Sequence, residues 1–495
     1  KGLAQERILQ HEDINSWNNK TKLPILITAT CSFTGFDDPS IVTAGEEVFL
    51  KEKGGVVSMI STVRAVYSNN NDALVKSIFD VIFSNNQSKN LPIGEILRLA
   101  KNNLSSDTNN KRKFLLFGDP SMKMKFPQFG IKTLQLNGKS AENSGAIVDT
   151  LGALDKVYIK GEITGTSGQK ISDFNGTVNL TLYDKELTLK TKANDHNFSP
   201  SYQYDFELQK IILFKGVAKV ENGEFEIEFI LPKDINYKLG NGKLSYYAID
   251  EKLRQASGYF SNFIVGGTGD NFKNDTDGPL IALFMNDTGF LNGSITNSDP
   301  ILLGLLEDES GINITGFSIG HDLSAVLSSD HTKIILNDFY RSESDSYEKG
   351  SFRYPLSNLE PGKYSVEVEA WDVYNNKSTE KLDFVVIDLE NEELKNVFNF
   401  PNPFSENTFF RFEHDLADSN LDIEINIFSM RGELVKSITK TEFSPGFQIS
   451  DIYWDGTNNS GSKLSSGVYV YQIKVLSSEY NIKRESKFEK LIIIK

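Results

Sequence analysis

Cys31 is the side chain with the most chemical potential and the only cysteine in 495 residues. It closes the run Leu23-Pro-Ile-Leu-Ile-Thr-Ala-Thr-Cys31, and the polar, Gly-containing stretch Ser32-Phe-Thr-Gly-Phe-Asp-Asp-Pro39 follows. An apolar run that gives way to such a loop reads as a buried strand opening at its carboxyl end. That is the end at which parallel α/β sheets hold ligands and do chemistry. A thiol placed there is a candidate nucleophile. The competing reading is a small buried apolar side chain, the common fate of free cysteine. A thiol attacks as its thiolate, so it needs a neighbour that takes its proton, usually histidine. The chain has His11, His196, His321, His331 and His414. The last four fall in predicted β modules, on exposed loops or turns. His11 stands at the entry to a short helix that leads away from the sheet, where it is poorly placed to meet the thiol.

Other residues offer weaker chemistry. Thr62, Arg64 and Tyr67 follow the next apolar run and could form a wall of a substrate pocket, with Arg64 receiving a carboxylate or carbonyl. Asp37 and Asp38 read as an Asx-turn ahead of Pro39, and Asp119 in Gly118-Asp-Pro-Ser121 as a turn cap. Asp270, Asn271, Asp275 and Asp277 have the oxygen density of a calcium-binding linker but lack the Glu of an EF-hand loop. Calcium is the one cofactor to which these residues point, and none is required by the rest. Trp371 and Trp454 read as core or turn covers.

The elements that must position Cys31 lie in residues 1–128, where strands and helices alternate. A short helix spans Asp13-Ile-Asn-Ser-Trp17, and a strand runs from Pro24 to Cys31. The stretch Thr43-Ala-Gly-Glu-Glu-Val-Phe-Leu50 is a helix, with a Thr start and a Glu three residues on. Gly54-Gly-Val-Val-Ser-Met-Ile-Ser-Thr62 is a second strand, helices follow over Asn71 to Phe83 and Ile93 to Asn102, and Phe114-Leu-Leu-Phe117 closes the unit. This order predicts a parallel sheet with crossover helices. Beyond Phe126 the chain alternates apolar and polar residues between Gly/Asn/Asp turns, as in Lys156-Val-Tyr-Ile-Lys-Gly-Glu-Ile163, which predicts half-buried strands of sandwiches. The expected domains are 1–128, 129–268, 278–389 and 396–495.

Bulk properties exclude several classes. The charge is −15, from 52 Lys and Arg against 67 Asp and Glu, and no basic run is present, which argues against nucleic acid as a partner. One cysteine excludes an intramolecular disulfide. No apolar run approaches the ~18–20 residues of a membrane span. Lys1-Gly-Leu-Ala-Gln5 has neither the charged nor the apolar region of a secretory signal and reads as a chain entered mid-domain.

Thr28-Ala-Thr-Cys31, Ala44-Gly-Glu-Glu47, Gly54-Gly-Val-Val-Ser-Met-Ile-Ser-Thr62 and Phe117-Gly-Asp-Pro-Ser121 resemble the gingipain-type cysteine peptidases. The resemblance implies a partial caspase-like α/β domain and Cys31 as nucleophile. It also implies a base from a Gly-His-Gly stretch upstream of Lys1, so that this chain would be the carboxyl-terminal portion of a longer polypeptide and have little activity alone. Asp13-Ile-Asn-Ser-Trp17, Phe36-Asp-Asp-Pro39 and Trp371-Asp-Val-Tyr-Asn-Asn376 resemble the sortase-like branch of that family that serves type nine secretion. The middle modules resemble immunoglobulin-like sandwiches. Phe400-Pro-Asn-Pro403, Trp454-Asp-Gly456, Ser466-Gly-Val-Tyr469 and Lys490-Leu-Ile-Ile-Ile-Lys495 resemble a carboxyl-terminal sorting domain. That branch implies a cell-surface endopeptidase or transpeptidase. Its partners would be cargo bearing carboxyl-terminal sorting domains, anionic lipopolysaccharide as acceptor, and an outer-membrane β-barrel shuttle protein as tether. The alternative is a non-enzymatic surface adhesin or scaffold with an inactive peptidase-like domain.

Overall fold

The structure is a computed structural model. It describes all residues except 1–8, 10, 18, 20–21, 39, 53, 84–90, 105–107, 142–145, 194–201, 270–274, 317–319, 330, 387–393, 415, 417–418, 445, 478–481 and 495. The chain divides into two compact units, Lys1–Pro127 and Gln128–Lys495.

The first unit is a three-stranded sheet between two helical layers. Its strands are β1 (Ile25–Ile27), β2 (Ser58–Thr62) and β3 (Phe114–Phe117), in that spatial order. Its helices are α1 (His11–Ser16), α2 (Ala44–Phe49), α3 (Ser68–Phe83), α4 (Ile93–Asn103) and α5 (Thr108–Lys113). Alternation along the strands sorts the layers. Ile25, Ile27, Ile60, Phe114 and Leu116 pack with Leu74, Ile78, Ile96 and Leu97 of α3 and α4. Leu26, Met59 and Phe117 turn the other way, onto Ile14, Ala44 and Val48 of α1 and α2. Helix α2 starts as its sequence dictates. Thr43 is the N-cap, and its side chain and the Glu46 side chain bond each other's backbone amides in a capping box.

Two features differ from expectation. The sheet is mixed: β1 and β2 are parallel, but β3 runs antiparallel to β2. One crossover helix returns the chain to the start of a strand, which gives a parallel neighbour. Here α3 and α4 pack on each other as a pair, which brings the chain back to the end where β2 finished. The first strand is also shorter than its apolar run. Thr28 N still donates to Ile60 O (3.0 Å), but beyond it side chains replace the ladder, with the Thr28 hydroxyl on Ser61 Oγ (2.8 Å) and the Thr62 hydroxyl on Thr30 O. Cys31 therefore lies in a turn four residues past β1.

The second unit is β-structured among its described residues, apart from one 3-10 turn at Asn337–Phe339. Its first module is an eight-stranded sheet running in order from Ile212–Val220 to Glu224–Ile230. These two end strands are consecutive in sequence and turn at Asn222 and Gly223, both with positive φ (52° and 76°). Phe214 stacks on Phe229 with ring centroids 3.9 Å apart, so the sheet rolls towards itself around one core rather than facing a second sheet of equal size. The second module packs a four-stranded sheet (Leu280–Met285 to Tyr340–Ser342) with a five-stranded one (Ile295–Thr296 to Lys333–Ile335). The third pairs a three-stranded sheet with a five-stranded one around Trp454, Tyr471 and Phe410.

Candidate functional site

Cys31 is exposed, which removes the buried-apolar reading of its side chain. Its S–H donates to Val66 O (3.3 Å) and its sulfur accepts from Val66 N–H (3.4 Å). The turn and the 64–67 loop are joined again where Ser32 N donates to Arg64 O (3.2 Å). Beneath them, Thr34 Oγ1 and Thr28 Oγ1 both meet Ser61 Oγ, at 2.9 and 2.8 Å, in a buried hydroxyl cluster. Helix α2 braces the turn from below, with Gly45 N donating to Phe33 O (2.9 Å). A Cβ on Gly45 would lie 2.0 Å from Thr34 Oγ1, so only glycine permits this approach.

The three expected wall residues take different places. Thr62 is fully buried, and its hydroxyl struts the turn through Thr30 O, so it lines no open pocket. The Arg64 guanidinium is already engaged, bonding both carboxylate oxygens of Asp37 (Nη1–Oδ1 2.7 Å). This hydrogen-bonded partner holds the Asp37 carboxyl below, and the Arg64 guanidinium above, its ordinary range. A substrate carboxylate would have to displace Asp37, because one fork matches one carboxylate. Tyr67 is exposed, with Lys113 Nζ 5.8 Å from its ring centroid. Asp38 makes its Asx-turn with Ser40 N (3.0 Å), and Asp119 bonds Ser121 N (2.8 Å).

The described histidines are occupied or remote in sequence from this site. His11 Nδ1 bonds Glu47, which ties α1 to α2. His321 Nδ1 lies 2.5 Å from Asp234 Oδ2, and its ring packs on Trp371 at 4.3 Å between centroids. His414, expected on a loop, is instead buried at the end of a strand, between Ser444 Oγ (3.0 Å) and Leu416 N (3.1 Å). His331 is exposed on a turn, and His196 lies outside the described residues.

Sequence reasoning missed two asparagines. Asn71, in the first turn of α3, donates to Ala29 O (3.1 Å), and Asn110 of α5 donates to Asn71 Oδ1 (3.1 Å). Asn110 also brackets Tyr67, accepting from its N–H and donating to its carbonyl, both at 3.3 Å. Polar residues in short helical turns carry no periodic signal, so nothing in the sequence set these two apart.

The residues named for calcium take separate places. Asp270 and Asn271 lie outside the described residues, and Asp277 contributes only a backbone N–H to Asp275 Oδ1 (3.2 Å). Asp275 instead joins Asp308 and Asp372, one carboxylate oxygen of each lying within 4.8 Å of the others. These three are the described residues that could hold a divalent cation. Among the described residues no Lys or Arg pairs with any of them. Burial, then the Asp372 and Asp275 charges, push the Asp308 carboxyl up to about 7, against the amides of Ser310 and Gly311. Burial also raises Asp372.

Residues 1–125 match the model of peptidase family C25, the gingipain family, and residues 402–479 match that of the FlgD Ig-like domain. No curated protein matches the chain. Among solved structures, the chain is similar to dimeric latent PorU from Porphyromonas gingivalis, at 29% identity and a TM-score of 0.35. That match covers 90% of this chain and 41% of the PorU chain, so the chain spans well under half of it. A Bacteroides ovatus glucan-utilisation protein, SGBP-B with a mixed-linkage heptasaccharide, matches at 9% identity and a TM-score of 0.21, covering 74% of this chain and 70% of that one. Neither superposition is close enough to argue function. No helix among the described residues is long and apolar enough to cross a membrane.

Proposed function

We propose that Cys31 is the nucleophile of a cysteine peptidase. The observation that carries the proposal is an exposed thiol, held by Val66 N–H and C=O just past a buried strand, within the residues that match family C25. A thiolate there attacks a peptide carbonyl carbon, and the carbonyl π electrons move to oxygen. The Cys31 amide bonds no described residue and is available to donate to that oxyanion. Collapse expels the amine, which takes its proton from a protonated base and leaves a thioester on Sγ. The base is proposed to be the upstream histidine that the gingipain resemblance implies. Water then gives hydrolysis; an amine gives transpeptidation.

The finer reading rests on the sequence motifs. The enzyme removes carboxyl-terminal sorting domains from secreted cargo at the cell surface and can pass the cargo to an amine of anionic lipopolysaccharide. The last module, with its FlgD-type Ig-like match, would be held by an outer-membrane β-barrel partner. The test is an acylating, thiol-directed probe on a chain extended upstream, compared with Cys31→Ala and with substitution of the added histidine. Labelling that needs both residues supports the peptidase. Labelling indifferent to either hands the chain to the adhesin reading.

A further inference from the structure

Two loops must keep one geometry for the thiol to meet Val66: the Ala29–Ser32 turn and the Arg64–Tyr67 segment. Neither is a strand, so no sheet ladder fixes them. One bond joins them directly, Ser32 N to Arg64 O, and a short chain of amides braces both. Tyr67 N–H donates to Asn110 Oδ1, Asn110 Nδ2 donates to Asn71 Oδ1, and Asn71 Nδ2 donates to Ala29 O. Both side chains are buried, Asn71 at 4% and Asn110 at 2% exposure, between helices otherwise packed by apolar residues. An amide there must have its bonds made, and these are made to the two loops flanking the thiol. Lys113, three residues on in the same helix, reaches the same segment, donating to Ala65 O (2.6 Å).

We propose that Asn71 and Asn110 are positioning residues for Cys31. They act through the backbone, setting the 64–67 segment so that Val66 N–H points at the sulfur and Val66 O accepts the S–H hydrogen bond. This inference rests on the nucleophile reading above but concerns how the thiol is held, and it can fail alone. The bond from Val66 N–H to the sulfur and the bond from S–H to Val66 O together fix the rotamer of the thiol and the direction in which its lone pairs point. Losing either amide releases the segment and weakens both bonds. Because the two amides act in series, losing both should do little more than losing one.

The test uses the full chain, whose single cysteine makes every thiol signal assignable to Cys31. The S–H stretching band in the infrared reports the bond to Val66 O directly, and iodoacetamide alkylation at neutral pH reports reactivity. In Asn71→Ala and Asn110→Ala the band should move to higher wavenumber, as for a freed S–H. Alkylation should change by about threefold to tenfold, in the same direction in each variant, as loss of one modest hydrogen bond gives, and no further in the double variant. Ser77→Ala is the control. It removes a buried bond of the same helix to Ala100 O (3.0 Å), so it destabilises the unit without touching the loops. It should leave band and rate unchanged. If an alanine variant fails to fold, Asn71→Asp, which keeps the acceptor for Asn110 but loses the donor to Ala29 O, replaces it. A band that stays in place, or alkylation that tracks loss of stability in all variants alike, overturns the proposal. Cys31→Ser judges the nucleophile reading separately through probe labelling.

Discussion

Raising the pH from acid to mildly alkaline should destabilise the second β module through Asp308. Burial pushes its folded carboxyl up to about 7, above the ordinary aspartate value of 3.8 that it has in the unfolded chain. The folded state therefore binds the proton more tightly. The stabilising contribution is complete below about pH 4 and is lost as pH climbs through about 7. A carboxyl moved this far would give at most ~4 kcal/mol, and solvent reaching the cluster screens this to roughly 1–2 kcal/mol. Asp308→Asn mimics the protonated acid and keeps an oxygen to accept from Ser310 N (2.9 Å) and Gly311 N (3.1 Å). The variant should match the wild type at pH 4 and exceed it by roughly 1–2 kcal/mol at pH 8. Trp371 adjoins Asp372, and Trp17 and Trp454 lie in other modules. Urea unfolding followed by the fluorine resonance of 5-fluorotryptophan at position 371 thus reads this module alone. The buffer contains EDTA, so that no divalent cation offsets the carboxylate repulsion. A wild-type midpoint that is flat or rises with pH would refute the reasoning, as would an equal pH slope in Asp308→Asn.

Three further outcomes test the first unit. Thr43→Ala removes the half of the capping box made by the Thr43 hydroxyl, leaving the Thr43 N–H on the Glu46 carboxylate, and should cost about 1 kcal/mol in urea unfolding followed at Trp17. Gly45→Ala drives a Cβ against Thr34 and should cost about 1–3 kcal/mol, because backbone and side chain must shift together. A larger loss than that of Thr43→Ala is expected in parallel unfolding curves. Asp37→Ala should leave the urea midpoint essentially unchanged, since the pair is exposed. It frees Arg64, so a peptide with a carboxylate next to the scissile bond should compete better for Cys31 labelling than it does in the wild type.

Four of the five described helices of the first unit were legible because their signals are local; α5, over Thr108–Lys113, has no apolar period and was not. Thr43 and Glu46 announce a capping box, and Ile93, Ile96, Leu97 and Ala100 share one face at helical spacing. The alternating strands were equally plain, as in Glu224–Ile230, whose even and odd positions divide between core and solvent. What failed was non-local. Nothing in the Phe114–Phe117 run states its direction, which follows from α3 and α4 pairing into a hairpin. Nothing in Thr28-Ala-Thr-Cys31 says that hydroxyls will replace the ladder. The Asp275 cluster draws Asp308 and Asp372 from strand ends far apart in sequence, and a search for oxygen density along the linker could not find them. The thiol was visible as a candidate because it is single and follows an apolar run. Its amide supports were not.

The most direct test of the central claim is to trap the acyl-enzyme. The chain extended upstream is mixed with a peptide spanning the junction between a cargo protein and its sorting domain, quenched in acid, and weighed intact. The expected result is a mass increase equal to the amino-terminal half of the peptide, mapped to Cys31 and lost in Cys31→Ala. Cleavage that persists in Cys31→Ala, or a cleaved peptide with no adduct under rapid quench, would contradict Cys31 as the nucleophile.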